Sequence, residues 1–356
     1  MENTKNHTKN IRYLFFLSQD YSFPILRPLQ EAIIHQGDQV RWFLYGNEIN
    51  IHNLHTDEIQ LKNIKEVLQY YPHVVIVPGN VVPSFIPGLK VEVFHGLPSK
   101  KIKKSGQIYH YIIRGMFDLY CTQGPSSTSK FISLSKKYKY FYVQETGWSK
   151  LDPLFPIEPI SKEIKVKSIF FASTFSPRFT KAKTLYPFIL HMIKKYNYHW
   201  YITLHPKIDE EVLRLYRNIK AKNITFIAST QVIQYFKLAD IMLCDTSSIM
   251  YEFLSQKKPV ITFQTQEEEA SIINIKNIYM LESTLVSVLN NLHKYQGNIA
   301  QEVIKFHPYF DGLSSYRVLD IIHRMLNGDI ILSQKKPLNI IRNMKLRKEL
   351  KYWKFI

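Results

Sequence analysis

Short apolar blocks alternate with amphipathic segments along most of this 356-residue chain, and this alternation limits the fold more than any other feature. The blocks Ile11–Leu17 and Gln39–Tyr45 have the length of buried strands. The segment between them, near Ile25–Gln36, repeats apolar residues at helical spacing and stops before Gly37. Strands that alternate with helices favour a parallel sheet covered on both faces, so the sequence predicts an α/β protein.

The alternation occurs twice. A stretch with three prolines, near Thr146–Pro159, interrupts it, and a strand at Ser168–Ala172 begins it again. We therefore predict two Rossmann-like, doubly wound domains, at 1–155 and 160–330. Residues 331–356 are set apart as a basic, aromatic C-terminal tail.

Polar residues follow three of the predicted strands. His95 comes directly after the strand Val91–Phe94, His205 follows a second strand, and Asp245 follows a third. Because the carboxyl ends of parallel strands bind ligands in open sheets, we expect these clusters to share one cleft. Ser247 and Ser248 then open a helix, where free backbone amides and hydroxyls can hold an anion. An ordinary serine N-cap is the alternative there.

Six segments of the chain, among them FHGLPSK (Phe94–Lys100), TLHPK (Thr203–Lys207) and DTSS (Asp245–Ser248), resemble in the same order motifs of the CDP-glycerol glycerophosphotransferases of teichoic acid and capsule synthesis. The segments FHGLPSK, TLHPK and DTSS are similar to the family's HGTP, HP and DYSS motifs. Leu97 and Thr246 depart from the family pattern, and Trp148 with Ser149 replaces a Pro-Arg pair. The other three similar segments are TGWSKLD (Thr146–Asp152), ASTFSPRF (Ala172–Phe179) and HPYFDGLSSYRV (His307–Val318).

The resemblance implies a GT-B-like fold, in which the domain at 1–155 holds the acceptor and the domain at 160–330 binds a CDP-linked donor across an interdomain cleft. It implies an enzyme that moves glycerol phosphate, or a related polyol phosphate, from the donor to a lipid-linked or polymeric acceptor. CMP would be released.

Within that scheme His95, beside Gly96, is expected to be the general base, because imidazole titrates near neutral pH. A structural histidine at a strand end is the alternative. His205, whose backbone is restricted by Pro206, is expected to donate a hydrogen bond to the donor pyrophosphate, together with Ser247 and Ser248.

Other residues have supporting roles in this hypothesis. Arg178 would bind phosphate through its planar guanidinium, or else be a surface arginine. Glu252 would accept hydrogen bonds from ribose, or else be an acid on the helix surface. Asp245 is expected to hold its loop through backbone amides, and Asp311 with Gly312 is expected to shape a turn near the donor.

The motifs that are missing also restrict the chemistry. The sequence contains no Asp-x-Asp, HExxH or CxxC pattern, so we expect no metal requirement. It has neither GxGxxG nor a Walker loop, so no cofactor is expected besides the CDP-linked substrate. Cys121 and Cys244 lie in apolar strands, which indicates buried thiols in a cytoplasmic protein.

The formal net charge of +18 predicts an anionic partner. From Lys335 onward the tail has eight basic residues against Glu349 alone, and it also contains Trp353. Basic and aromatic residues together are typical of the headgroup region of an anionic membrane. We see no secretory signal and no apolar run of spanning length, so we expect a peripheral protein on the inner face of the cell membrane.

Other interpretations of the tail and of the whole chain stay open. At helical spacing Lys348 and Lys351 fall among Ile340, Ile341 and Met344, so the tail could be solvated or could pack on the body. A glycosyltransferase that uses a nucleotide sugar, such as a CMP-linked acidic sugar, would share this architecture. A nucleic-acid-binding protein ranks lowest, because the sequence has no recognised reading motif. We therefore expect no nucleic-acid partner.

Overall fold

The computed structural model describes residues 10–97, 108–157, 166–245, 248–265 and 271–353. The chain divides into two compact units. The first unit contains Met1–Asp152 and Asp311–Ile356, and the second contains Pro153–Phe310.

The first unit is built on a parallel sheet. Its strands are β1 (Arg12–Leu17), β2 (Gln39–Leu44), β3 (Gln60–Leu61), β4 (Val74–Val77), β5 (Leu89–Glu92), β6 (Leu119–Thr122) and β7 (Tyr142–Glu145). They lie in the order β3-β2-β1-β4-β5-β6-β7. The chain therefore reverses its direction of growth between β1 and β4, at the centre of the sheet. Strands β1 and β4 are almost entirely apolar and buried, as expected for strands covered on both faces.

Within the described part of this unit, three α-helices connect strands of the sheet, and local sequence signals set their ends. They are α1 (Phe23–His35), α2 (Ile64–Tyr70) and α3 (Pro125–Tyr138). Helix α3 begins with Pro125, a residue that needs no amide partner in the first turn, and it ends at Lys139 in a left-handed conformation.

The second unit repeats this architecture. Its strands are β8 (Ser168–Ser173), β9 (His199–Leu204), β10 (Ile224–Phe226), β11 (Ile241–Cys244), β12 (Val260–Phe263) and β13 (Ile272–Ile275), and its helices are α4 (Ala182–Lys195), α5 (Glu210–Arg217), α6 (Val232–Phe236), α7 (Ile249–Leu254), α8 (Leu281–Asn290) and α9 (His293–Phe306). The strands are parallel and lie in the order β10-β9-β8-β11-β12-β13. This sheet reverses between β8 and β11. Phe171, Trp200 and Leu243 lie in its fully buried core.

The chain returns to the first unit for its last two helices, α10 (Ser314–Leu326) and α11 (Ile340–Glu349). This differs from the predicted division, which assigned everything up to residue 330 to the second domain. The physical reason is a set of long-range contacts: α10 packs on α1, and its first amides donate hydrogen bonds to Asp152. The fold class itself is confirmed, because both units are doubly wound α/β sheets.

No helix within the described ranges is both long enough and apolar enough to cross a membrane. The two cysteines, Cys121 and Cys244, are free thiols buried in β6 and β11.

Candidate active site

Neighbouring strands of the second unit bring several predicted site residues to one edge of the sheet. His205 directly follows β9, Asp245 directly follows β11, and β8 lies between these two strands. The reversal between β8 and β11 is the position at which open α/β sheets bind ligands. The loop that follows β8 contains Arg178.

Asp245 joins the end of β11 to the loop after β8. Its buried carboxylate accepts hydrogen bonds from the Ser173 hydroxyl, from the Thr174 amide at 2.8 Å and from the Lys181 amide at 3.0 Å. Burial raises the pKa of Asp245, and these hydrogen bonds oppose that rise. With its oxygens occupied by the loop, Asp245 is a positioning residue rather than a proton donor.

The contacts of the His205 ring define which nitrogen can donate. The Lys207 amide donates a hydrogen bond to His205 Nδ1 at 3.0 Å. Burial lowers the pKa of His205, and the nearby Lys207 lowers it further, so the neutral ring is favoured. In a neutral imidazole whose Nδ1 accepts, the proton is on Nε2. His205 can therefore present an Nε2–H donor while its other nitrogen fixes the ring.

The loop after β8 also packs on this histidine. The Phe175 and His205 ring centroids are 4.3 Å apart. Arg178 lies on the same loop, is exposed, and has its guanidinium 5.5 Å from the centre of the Phe179 ring. An exposed arginine on a loop that Asp245 holds in place is available to an anionic ligand.

The start of α7 is described only from Ser248. Ser248 is the N-cap residue, it is exposed, and its side chain makes no capping hydrogen bond. Ser247 lies outside the described residues. Glu252, on α7, is only 6% exposed, so it is not an acid on the helix surface.

In the first unit, the predicted base follows an unusual turn. Strand β5 ends at Glu92, and Phe94 adopts a left-handed backbone with φ 57° before His95. Such a conformation costs about 1–3 kcal/mol for a non-glycine residue and is common at functional sites. His95 itself is exposed.

Buried neighbours hold this turn from both sides. Trp148, which is 1% exposed, donates from Nε1 to the Phe94 carbonyl at 3.3 Å. Gln123 Nε2 donates to the Gly96 carbonyl at 2.9 Å. Among the described residues other than its two chain neighbours, no atom lies within 4 Å of a Cβ placed on Gly96.

Among the described residues, the rings of Tyr21 and His110 lie near His95. The Tyr21 ring centroid is 5.3 Å from that of His95. His110 stacks on Phe94, and its pKa is lowered to about 4 by burial and by the nearby His95. The sequence motifs did not identify Tyr21 or His110, because both are distant in sequence from the HG turn.

Asp311 and Gly312 belong to the first unit and not to the second, in which we expected the donor to bind. The Asp311 carboxylate forms an ion pair with Arg317 and accepts a hydrogen bond from the Leu313 amide at 3.0 Å. The Arg317 hydrogen bond lowers the pKa of Asp311. Gly312 has φ +71°, so the two residues form the turn that leads into α10.

The second unit therefore brings together His205, Asp245, Ser248 and the Arg178 loop, whereas His95, Gly96, Asp311 and Gly312 belong to the first unit. Among the described residues, no group of three or more His, Cys, Asp and Glu side chains could hold a metal ion.

Solved structures with the same architecture cover nearly the whole chain. The wall teichoic acid polymerase TagF is 15% identical, with 90% of each chain covered and a TM-score of 0.61. A putative UDP-N-acetylglucosamine 2-epimerase from Listeria monocytogenes is 12% identical, with 93% of this chain and 100% of that chain covered and a TM-score of 0.62. MnaA of S. aureus, solved with UDP, is 15% identical over 92% of this chain and 99% of that one, with a TM-score of 0.59. At these identities the likeness shows a shared GT-B-type fold.

The family comparison is more specific. Residues 167–324 match the family described as CDP-glycerol:poly(glycerophosphate) glycerophosphotransferase. No curated protein matches the chain. The matched region contains His205, Asp245 and Ser248, and it confirms the family recognised from the motifs. The chain therefore has a GT-B-type fold, and its residues 167–324 match the CDP-glycerol glycerophosphotransferase family, which supports an enzyme of that kind.

Proposed function

We propose that the enzyme transfers glycerol phosphate, or a related polyol phosphate, from a CDP-linked donor to a lipid-linked or polymeric acceptor in cell-surface polymer synthesis. The observation that carries the proposal is the His205 ring, with an Nε2–H donor at the strand edge of the unit that matches the family. One TagF structure was soaked with CDPG, which supports a donor of this class.

In the proposed reaction, an acceptor hydroxyl oxygen attacks the phosphorus that carries the polyol. The bond between this phosphorus and the bridging oxygen of CMP breaks, and CMP leaves with the electron pair. The hydroxyl proton passes to His95, whose exposed ring follows the Phe94 turn. His205 donates to a phosphate oxygen as charge develops on the leaving group. No cofactor besides the donor takes part in this scheme.

The remaining donor contacts are assigned by chemistry. Arg178 supplies charge to the diphosphate, since guanidinium matches phosphate oxygens in a plane. Ser247 and Ser248 supply hydroxyl and amide donors, and Glu252 accepts hydrogen bonds from the ribose. Asp245 keeps the loop that contains Arg178 next to His205.

A donor screen tests the reaction. The purified protein is given CDP-glycerol, CDP-ribitol or a CMP-sugar together with a lipid-like acceptor that carries a phosphorylated polyol, and CMP release is followed. We expect acceptor-dependent CMP release with a CDP-polyol. Release with the CMP-sugar alone would instead establish a glycosyltransferase.

We also propose that the enzyme works on an anionic membrane surface, through the outer face of α11. Leu346 is 4% exposed and packs in the core of the first unit, whereas Ile340 and Ile341 are 63% and 73% exposed. Met344 and Trp353 are each 50% exposed. Exposed cations accompany them at Arg342, Lys345, Lys348 and Lys351.

This geometry combines the two open interpretations of the tail. The helix packs on the body and also presents an outward face of mixed apolar and basic side chains. Neighbouring contacts fix its position: Lys336 forms an ion pair with Asp118, Asn339 donates to the Gly115 carbonyl, and the Asn343 side chain accepts from the Ser84 amide. Apolar side chains enter the interface and each nearby cation adds about 1 kcal/mol.

Vesicle sedimentation tests the membrane proposal. The double variant I340S/I341S should bind vesicles containing phosphatidylglycerol at least tenfold more weakly than the wild type. Ile34→Ser, a control at an exposed position on α1, should bind normally. Equal binding by all three proteins, or binding to neutral and anionic vesicles alike, would contradict a docking face on α11.

A further inference from the structure

The first unit has a cavity of about 280 Å³, and none of the residues that line it has a role in the reaction proposed above. It lies where β1, β2 and β4 end, and polar side chains form much of its wall. The lining residues that matter for its chemistry are Ser18, Tyr21, Tyr45, Asn80 and Arg114.

The cavity has the position and size of a small-ligand site. It lies at the reversal of the first sheet, between β1 and β4, and open α/β sheets bind ligands at such points. Its volume is near the lower limit of the roughly 300–1,000 Å³ that small-molecule sites have. A three-carbon polyol phosphate suits this space better than a complete CDP-linked nucleotide does.

Arg114 gives the cavity an anion-binding group. Its Nη1 donates to Asn80 Oδ1 at 3.3 Å and to the Ile112 carbonyl at 3.2 Å, which fixes the guanidinium in the wall. Glu92, an acid whose pKa responds to Arg114, is buried, and burial raises its pKa well above the ordinary range although Arg114 opposes the rise. Arg114 therefore brings a positive charge to the wall of the cavity, where a ligand anion can bind.

Tyr21 connects the cavity to the proposed base. It lines the cavity, and its ring lies 5.3 Å from the His95 ring, centroid to centroid. Burial, assisted by Tyr45, Glu48 and Glu92, raises the pKa of Tyr21 to about 12. Tyr21 is therefore a neutral phenol that can donate a hydrogen bond at neutral pH.

The membrane-docking helix is next to the same cavity. Tyr45 lines the cavity, makes a side-chain hydrogen bond with Ser18, and packs on the core cluster that contains Leu346 of α11. Glu349 of α11 is close enough to raise the pKa of Tyr45. A lipid-linked acceptor held at the outer face of α11 is thus near the cavity in the same unit.

We infer that this cavity binds the phosphate-bearing polyol end of the acceptor, with Arg114 on the phosphate and Tyr21 on the polyol beside His95. The inference rests on the proposed function and names its acceptor subsite. Arg114 and Tyr21 then determine which acceptor ends are used. The charge of Arg114 and the hydroxyl of Tyr21 select a polyol phosphate over a neutral sugar.

The binding experiment uses the full chain without any donor. sn-Glycerol 3-phosphate, inorganic phosphate and glycerol are titrated separately by calorimetry. Glycerol 3-phosphate should bind more tightly than either fragment, because only it meets both groups. Arg114→Gln should weaken its binding at least tenfold, which is about 1.4 kcal/mol, and Tyr21→Phe should weaken it about threefold.

Controls separate this subsite from the donor site and from misfolding. Arg217→Gln, at an exposed position on α5 of the second unit, should bind glycerol 3-phosphate like the wild type. CDP-glycerol affinity, measured in the same variants, should not change. If Arg114→Gln is misfolded by circular dichroism, Tyr21→Phe and Asn80→Ala decide the question.

The outcomes distinguish the two proposals. Glycerol 3-phosphate that binds all variants equally, or does not bind the wild type, would overturn the subsite even in an enzyme that releases CMP from CDP-glycerol. Binding that depends on Arg114, in a protein that turns over no CDP-linked donor, would support the subsite and overturn the proposed reaction.

Discussion

At the scale of single residues, the donor-side histidine is the best defined. The Lys207 amide occupies His205 Nδ1 and leaves Nε2 to donate. The residue following the ring, Pro206, restricts the backbone of His205 to extended geometry. The ring is thus fixed before any ligand binds, which is the condition for effective electrostatic stabilisation.

Two substitutions of His205 distinguish the roles of its two ring nitrogens. Asparagine places an acceptor near Nδ1 but has no donor at Nε2, whereas glutamine places a donor near Nε2. We expect His205→Asn to lower kcat about 100-fold or more, and His205→Gln to retain at least tenfold more activity than His205→Asn. Steady-state CMP release measures both. Equal activity in the two variants would mean that Nε2 does not act as the donor.

His110 provides a pH-dependent stability that sequence motifs did not indicate. Its folded pKa, about 4, lies below the ordinary 6.5, because burial and the neighbouring His95 disfavour the charged ring. As pH falls below 6.5, the unfolded chain takes up a proton that the folded chain refuses until about pH 4. The stability that the neutral ring provides is therefore lost on acidification.

Between pH 7 and pH 5, His110 alone should lower the free energy of unfolding by about 2 kcal/mol. His110→Phe keeps the ring beside Phe94 and Phe131 but removes the titration. Urea unfolding at both pH values should show that the free energy of unfolding falls by about 2 kcal/mol more in the wild type than in the variant. The same loss in both proteins would exclude His110 as its source.

At the scale of elements, α10 depends on a residue far away in the sequence. The Asp152 carboxylate accepts from the Ser314 amide at 2.9 Å, from the Ser315 amide at 2.7 Å and from the Ser315 hydroxyl at 2.7 Å. These are the first amides of the helix, which have no partners within it. Asp152 thus holds α10 to the first unit.

Removal of this cap should destabilise the first unit. Asp152→Ala leaves two buried amides without acceptors, at a cost of about 1–3 kcal/mol each. Asp152→Asn keeps one oxygen acceptor and should cost about 1 kcal/mol. Burial raises the pKa of Asp152, and its hydrogen bonds with Ser315 and Ser314 oppose that rise. Urea unfolding at pH 7 measures both values, and wild-type stability in the alanine variant would contradict this role of Asp152.

At the scale of the whole molecule, local sequence patterns predicted most of the fold. The apolar blocks at Gln39–Tyr45 and Ser168–Ala172 correspond to β2 and β8 within one residue. Both predicted strand-end residues of the second unit, His205 and Asp245, follow strands that end where the apolar run ends. Periodicity is a local property, so it could be recognised in one sequence.

Long-range contacts determine those features of the fold and of the site that the sequence patterns did not predict. The predicted strand Val91–Phe94 ends two residues early, because Phe94 turns into a left-handed conformation that Trp148 holds from 54 residues away. The return of α10 to the first unit likewise depends on Asp152, and α11 is held there by contacts with Asp118, Gly115 and Ser84. Tyr21 and Arg114 have no motif at all, and only the sheet topology brings them to one cavity.

The proposed transfer from a CDP-linked donor depends on His95 as its general base. Its most direct test is kcat for His95→Asn with CDP-glycerol and acceptor, measured together with the Kd for CDP-glycerol. We predict that kcat falls at least 100-fold, since general base catalysis contributes about 10²–10⁴-fold, while the Kd changes less than about twofold. Turnover near the wild-type value in a folded His95→Asn protein would contradict the account.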